Sequence, residues 1–531
     1  MGLRCDVAVV GGGHNALVAA TFLARAGLDV RLFERARVPG GACRTEYPFT
    51  KAPQLGCSTG AYLLGLMPPE LMARLGIEVE ILRRDPHYFL PTRDGRYLLF
   101  GSNRGDVERQ IRTFFSEADA RAQAALEETL AGLREDVARS WLEPPRSLEE
   151  TAERYVRPEL RERFLTLCRG AIGPWLESFG FASDLLVAMY AVTDGFTGLY
   201  GGWNDPGTGM NFLIHNMCRL PGSGGTWMVV KGGMGALTEA LVRALREAGG
   251  HLVLGAEVAK IDVQGGAVTG LELADGRRVE APVVLSGTDP FTLRRLLGPG
   301  VLSDAFEARL ERLRAPGSSF KLNLALSDLP TFRCLPDPRG QHRGTIHLLP
   351  EEGTVRETLE AAWAAARAGR LPERPAIEWY IHTATDSSLM DGAGRHSAAL
   401  FVQWVPYEIE GGGWEEAEAP FAERLLSICD EFAPDTSAKV VDLFPLSPKG
   451  IEAHFGMRYG HIHHVDNRFG FDERIPYRLP VGGLYACGAG CHPGGSVIGA
   501  AGHNAAREVL DDLGRPSDSL VPAPAPSGGA A

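Results

Sequence analysis

The chain has 531 residues, 44% of them hydrophobic and 23% charged, with a formal net charge of −12. That composition suits a soluble globular protein whose core needs no metal or disulfide staples. The acidic balance excludes a nucleic-acid partner, which rewards basic surface through counterion release.

The first strand is expected to begin near Asp6, with no secretory or transit leader ahead of it. No apolar run is long enough to cross a bilayer, so any membrane contact is expected to be peripheral. Nine cysteines, odd in number and scattered, fit a reducing cytoplasm. Residues 4–48 read as strand, helix, strand and a Gly-Gly turn. The apolar run Val7–Val10 leads into Gly11-x-Gly13-x-x-Ala16, which opens a helix carrying Leu17, Ala20, Leu23 and Ala24. Gly11 permits the tight turn, Gly13 lets backbone approach a pyrophosphate, and Ala16 keeps helix and strand close. The helix N-terminus then presents free N–H groups to the phosphates, with His14 and Asn15 at its entrance as structural or cofactor contacts. The second strand, Val30–Phe33, ends in Glu34, placed to bind ribose hydroxyls and to repel the extra phosphate of NADP.

The sequel "ERARVPGGACRTE" adds Arg35, Gly40, Gly41, Ala42 and Thr45. The whole run from Val7 to Thr45 resembles the extended motif of FAD enzymes of the glutathione-reductase and amine-oxidase type. That resemblance implies FAD, with the second glycine pair near the ribityl chain and flavin. "GGAC" also resembles flavoenzymes with a redox-active disulfide, but Pro48 stands where the second cysteine belongs, so no disulfide relay forms.

Further along, residues 105–222 read as mostly helical, with periodic charge over Glu117–Arg139 and an apolar stretch near Phe181–Val192. A strand at Trp227–Val230, a glycine turn, a helix over Ala236–Ala248 and short strands ending at Val283–Ser286 follow. This turn, Gly233-x-Gly235 with Glu257 downstream, admits a second dinucleotide, although Thr238 stands where a small residue should pack. The competing reading keeps one FAD, with this helix starting near the flavin and the strand at Val258 touching the adenine. Residues 301–474 mix strands (Phe320–Leu326, Thr345–Leu349, Ala398–Val405) with helices (Glu357–Arg367, Phe421–Phe432). A last strand, Gly483–Cys487, leads through a glycine-rich loop to a helix ending near Leu513.

"VVGGGHNALVAATFLARAG", "KGGMGALTEAL", "VVLSGTDP" and "GLYACGAGCHPGGSVIGAAGHNAA" together resemble phytoene-desaturase-like FAD oxidoreductases. "GGGHNA", "QHRGTIH" and "FVQWVPYE" resemble, within that group, the branch named after pyridine nucleotide-disulfide oxidoreductase domain-containing protein 2. The likeness runs from residue 1 to about 513. It implies an α/β fold: a discontinuous Rossmann-like FAD-binding domain with an inserted α+β substrate domain of sheet and helices. Residues 1–104, 225–300 and 475–514 are assigned to the FAD domain, 105–224 to a helical insert, 301–474 to the substrate domain and 515–531 to a disordered tail. By position, Gly488, Ala489 and the turn containing Gly494, Gly495, Ser496 and Val497 would lie along the pyrophosphate and isoalloxazine, with a helix from about Ile498 pointing at the flavin.

A flavin without a disulfide most simply takes hydride from carbon, here from an apolar polyene- or lipid-like substrate by dehydrogenation or isomerisation. The electron acceptor stays open between a quinone and oxygen, and the oligomeric state is open. Rival readings are an oxygen-using amine oxidase, an NAD(P)H-linked reductase and a non-catalytic flavin-bound interaction protein. The apolar helix near Leu185–Val192, with Trp203, Phe212 and Trp227, is a candidate pocket wall. No catalytic residue is assigned; His492 is the sole candidate acid or base. Lys321, inside an apparent strand, is expected at a surface or domain interface rather than at the flavin. His461 and His463 would share one face of a strand, yet nothing near them completes a metal site, and Cys487/Cys491 read as a tight turn.

Overall fold

The computed structural model describes residues 3–516 and 520. Most of the tail expected to be disordered lies outside the described residues; Arg515, inside them, donates to the carbonyl of Ala26 at 2.6 Å.

Five parallel strands form one sheet in the spatial order Leu484–Ala486, Val283–Ser286, Val7–Val10, Val30–Glu34 and His251–Leu254. Three distant stretches of chain are thereby stitched edge to edge, Val7 pairing with both Val283 and Val30. The inner strands Val7–Val10 and Val283–Ser286 are buried along their whole length, which is why they read as unbroken apolar runs. The helices His14–Arg25, Met234–Glu247 and Ala500–Asp512 pack together over this sheet. Ala16 earns its place in the first of them: a Cβ on Gly287 would come within 2.7 Å of the Ala16 Cβ, so helix and strand end meet with no room for larger side chains.

A second, seven-stranded sheet runs in the order Val440–Leu446, Ser319–Leu326, His396–Gln403, Ala376–Ile381, Thr345–Leu348, Tyr88–Pro91 and Tyr97–Phe100. It is antiparallel except where Thr345–Leu348 meets Tyr88–Pro91. The last two strands therefore belong to this sheet although they precede residue 104, where the sequence reading placed the first boundary. Local patterning cannot reveal which sheet a short strand joins. Helices between Arg104 and His215 form a separate apolar cluster beside it. One of them widens after Tyr190 into a π-helical turn over Ala191–Phe196, a form that often accompanies functional sites. The two sheets meet where the parallel strands end, and the candidate site lies there.

Candidate functional site

A cavity of about 550 Å³ runs from the C-terminal edge of the parallel sheet to the face of the seven-stranded sheet. At its outer end the chain turns through Gly11 (φ +89°) into the helix His14–Arg25. No side chain caps that helix, so the N–H groups of its first turn are left for a ligand. A Cβ at Gly13 would meet nothing within 4 Å. Glu34 Oε2 accepts from the Gly12 N–H at 2.6 Å and Oε1 from the Ala36 N–H at 2.8 Å, which fixes the carboxylate at the cavity wall. His14 Nε2 and Asn15 Oδ1 are buried without a partner among the described residues. Burial holds the His14 imidazole at about 4, so it is neutral at pH 7.

The residues singled out from sequence divide into two groups. Gly11, Gly13, His14, Asn15, Glu34, Arg35, Gly40, Gly41, Ala42, Val258, Ala489, Ser496 and Val497 line this cavity. Ala16, Thr45, Gly488, Gly494 and Gly495 are not part of its lining; they shape it from behind. A Cβ on Gly488 would sit 2.5 Å from the Thr288 carbonyl oxygen, and one on Gly495 2.3 Å from the His463 Cβ. A Cβ on Gly494 would press on Ile214 and Asn467. Thr45 Oγ1 donates to the Gly232 carbonyl and accepts from the Gly235 N–H. That hydroxyl, with Ser58 Oγ, fills the turn at Gly233, where a second dinucleotide would need open backbone. Glu257 lines the first cavity instead.

The inner end is built by residues the sequence reading missed or set aside. Of the two places expected for Lys321, it takes the interface and not the surface: it is buried, its Nζ donates across from the seven-stranded sheet to the carbonyls of Ser58 (2.6 Å) and Gly60 (2.7 Å), and it lies 4.4 Å from the Tyr62 ring centre. Burial lowers its proton affinity from 10.5 to about 7. Around it stand Tyr62, Arg84, Thr193, Thr197, His215, Trp227, Thr345, Tyr380 and Phe401. Behind them Glu378 accepts from the Tyr380 hydroxyl at 2.9 Å, and Asp194 from Tyr88 (3.4 Å) and Asn216 (3.3 Å). Burial raises both carboxyls to about 7.

His492 is a correction. Its Nε2 faces the Ser140 carbonyl at 3.2 Å, its ring meets Phe471 edge-on, and it is not among the cavity's lining residues. Burial lowers it to about 3. It is a core histidine. The pocket-wall expectation holds for Trp227 alone of the three aromatics: Trp203 and Phe212 lie in the apolar cluster of the helical region. Residues 461–464 form turns, not a strand, with His464 at φ +61°; His463 and His464 line the cavity. Among the described residues no group of three His, Cys, Asp or Glu side chains is arranged to hold a metal.

The model of flavin containing amine oxidoreductases matches residues 17–358. The chain belongs to that family. It is an FAD-dependent oxidoreductase. It is 33% identical to the rat pyridine nucleotide-disulfide oxidoreductase domain-containing protein 2, over 96% of this chain and 94% of that one. It is 27% identical to the zeta-carotene-forming phytoene desaturase of Myxococcus xanthus, over 80% and 77%. A crystal structure of an oxidoreductase from Methanosarcina mazei shares the fold (TM-score 0.62, 18% identity, 95% and 100% covered).

The outer cavity of this flavin amine oxidoreductase fits FAD on its own geometry. An uncapped helix start suits a pyrophosphate, a fixed carboxylate suits a ribose diol, and two orphaned buried polar atoms, His14 Nε2 and Asn15 Oδ1, ask for a ligand. Gly40, at φ +112° and with a would-be Cβ 2.5 Å from the Cys43 carbonyl oxygen, bonds its N–H to Gly12 O at 2.8 Å and clamps the two glycine turns together. Among the described residues no helix is long and apolar enough to cross a membrane.

Proposed function

We propose that this protein dehydrogenates a carbon centre of a substrate that is not an amine and that carries an apolar, polyene- or lipid-like body. Bound in the cavity, FAD supplies a two-electron acceptor for the substrate hydride. The observation that carries the reading is the charge of the inner compartment. Lys321 and Arg84 both line it, and neither bonds a carboxylate among the described residues. The buried acids nearby, Glu378 and Asp194, are held near 7, so neither presents a full negative charge at neutral pH. A protonated amine entering there would be desolvated beside the permanent cation of Arg84, an unfavourable pairing in a low-dielectric site.

Tyr62, Trp227 and Phe401 give the substrate apolar faces and exclude water. Loss of hydride from one carbon is completed by loss of a proton from its neighbour. Lys321 is the proposed acceptor. A neutral lysine has two N–H bonds and one lone pair; the two N–H groups are engaged by Ser58 O and Gly60 O, which leaves the lone pair for the substrate proton.

The test is anaerobic reduction of the purified, flavin-loaded protein by separated neutral, acidic and amine fractions of a cell extract. Loss of the oxidised-flavin band with a neutral or acidic fraction is expected. Bleaching by amines alone, with peroxide formed on admitting air, overturns the reading in favour of an amine oxidase.

A further inference from the structure

We propose that the inner compartment holds its substrate by a carboxylate, or an equivalent oxyanion, received by Arg84. This names the substrate class for the dehydrogenase reading above and rests on it.

Arg84 lies between the strands Ile81–Leu82 and Tyr88–Pro91, is 2% exposed, and lines the cavity. Its Nε donates to the Trp227 carbonyl at 3.1 Å and its Nη1 to Thr345 Oγ1 at 2.8 Å. Nη2 is buried and has no partner among the described residues. Arg84 is in ion-pair contact with no carboxylate of the described residues. A guanidinium cannot shed its charge, so it cannot escape burial by deprotonation as a lysine does. A buried cation with one edge unbonded is the half of an ion pair that a ligand completes, and the planar fork matches a carboxylate in two-point fashion. The Thr345 hydroxyl oxygen accepts from Nη1 and fixes the plane of the guanidinium.

The internal alternative is Glu378 as the counter-ion of Arg84. Its carboxylate is bonded elsewhere, to the Tyr380 hydroxyl and at 3.5 Å to Thr197. Burial leaves it half-protonated near neutrality, so it offsets the charge of Arg84 only in part. Arg84, Tyr62 and Lys321 line the same compartment, with Lys321 lying over the Tyr62 ring. A substrate anchored by its anionic end at Arg84 would therefore present its apolar body along Tyr62, toward Lys321.

Benzoate serves as the probe, with benzamide and benzylamine as isosteric neutral and cationic controls. Each is titrated into the flavin-loaded protein while the bound-flavin spectrum is followed. Saturable perturbation by benzoate is expected, with benzamide and benzylamine at least about tenfold weaker, as loss of a charge-assisted hydrogen bond implies. Arg84→Gln should weaken benzoate by a similar factor and Arg84→Lys should restore part of it, while Glu378→Gln keeps benzoate binding at wild-type strength or better. Equal binding of benzoate and benzamide by the wild-type protein overturns the inference without recourse to any variant. So does a benzoate affinity unchanged in Arg84→Gln. Failure of the dehydrogenase reading looks different: amines alone bleach the flavin, whatever the response to benzoate.

Discussion

Replacing Lys321 by methionine tests the inner compartment most directly. Burial lowers the proton affinity of Nζ from 10.5 to about 7, so below pH 7 the folded protein carries a proton it holds about 5 kcal/mol less well than the unfolded chain does. Between pH 7 and 10.5 the unfolded chain binds more protons than the folded one, and this penalty fades as pH rises. At pH 9 it has dropped to about 2 kcal/mol. Methionine removes the penalty at every pH but leaves the carbonyls of Ser58 and Gly60 unpaired, at about 1–3 kcal/mol each and independent of pH. The stability of Lys321→Met relative to wild type should therefore decline by about 3 kcal/mol from pH 6 to pH 9, with all other titrations shared between the two proteins and cancelling. For a chain of this length, roughly 1 °C of Tm accompanies each kcal/mol, so the melting-temperature difference should shift by about 3 °C toward wild type. Thermal melts of both flavin-loaded proteins at the two pH values measure it. A difference that stays constant would mean that Lys321 keeps an ordinary proton affinity and that the compartment is wetter than its geometry indicates.

The remaining predictions concern the same cavity. Flavin reduction by the active extract fraction should quicken as pH rises through about 7 and lose that dependence in Lys321→Met; a flat wild-type profile in single-turnover reduction excludes Lys321 as the proton acceptor. Gly13→Ala and Gly40→Ala should fail differently: the first has open space for its Cβ and should fold normally yet lose FAD, whereas the second strikes the Cys43 carbonyl at φ +112° and should lower Tm of the apoprotein, as melts with and without added FAD will show. Glu34→Gln keeps shape but turns one acceptor into a donor facing a backbone N–H. FAD should bind about tenfold or more weakly in a fluorescence titration, and excess FAD should restore activity. Arg474, fully buried and donating to the carbonyls of Val465, Asp466, Ala489 and Cys491 at 3.1–3.2 Å, ties the loop after the last strand to the loop before it; Arg474→Met leaves four buried carbonyls without a donor, at about 1–3 kcal/mol each, and should destabilise by about 4 kcal/mol or more in urea unfolding, whereas a loss under about 1 kcal/mol would show that the tie is slack.

How much of this could be read from the sequence follows from the range of the interactions involved. The outer end of the cavity is built almost entirely from short-range patterns. A buried strand, a glycine turn and a helix start lie within Val7–Arg25, and Glu34 follows one strand later, so the residue types alone dictate geometry and ligand. The inner end has no such local sign. Arg84 reaches Trp227 and Thr345, Lys321 reaches Ser58 and Gly60, and Tyr380 shares a strand with Glu378 in a sheet whose neighbours come from elsewhere in the chain. One signal is present in the sequence, misread at Lys321 and passed over at Glu378: both are ionisable residues inside apolar strand runs, "SFKLNLAL" and "AIEWYI". A charged residue in a fully buried strand faces either solvent or a functional cavity, and a sheet buried on both sides removes the first choice. The opposite error befell His492, whose place beside the FAD-type loop suggested chemistry while its ring was filling space between Phe471 and Ser140. Adjacency along the chain locates the cofactor; a buried atom without a partner points to a ligand only where its residue also lines the cavity, as Arg84 does and His492, whose Nδ1 is likewise unpartnered among the described residues, does not.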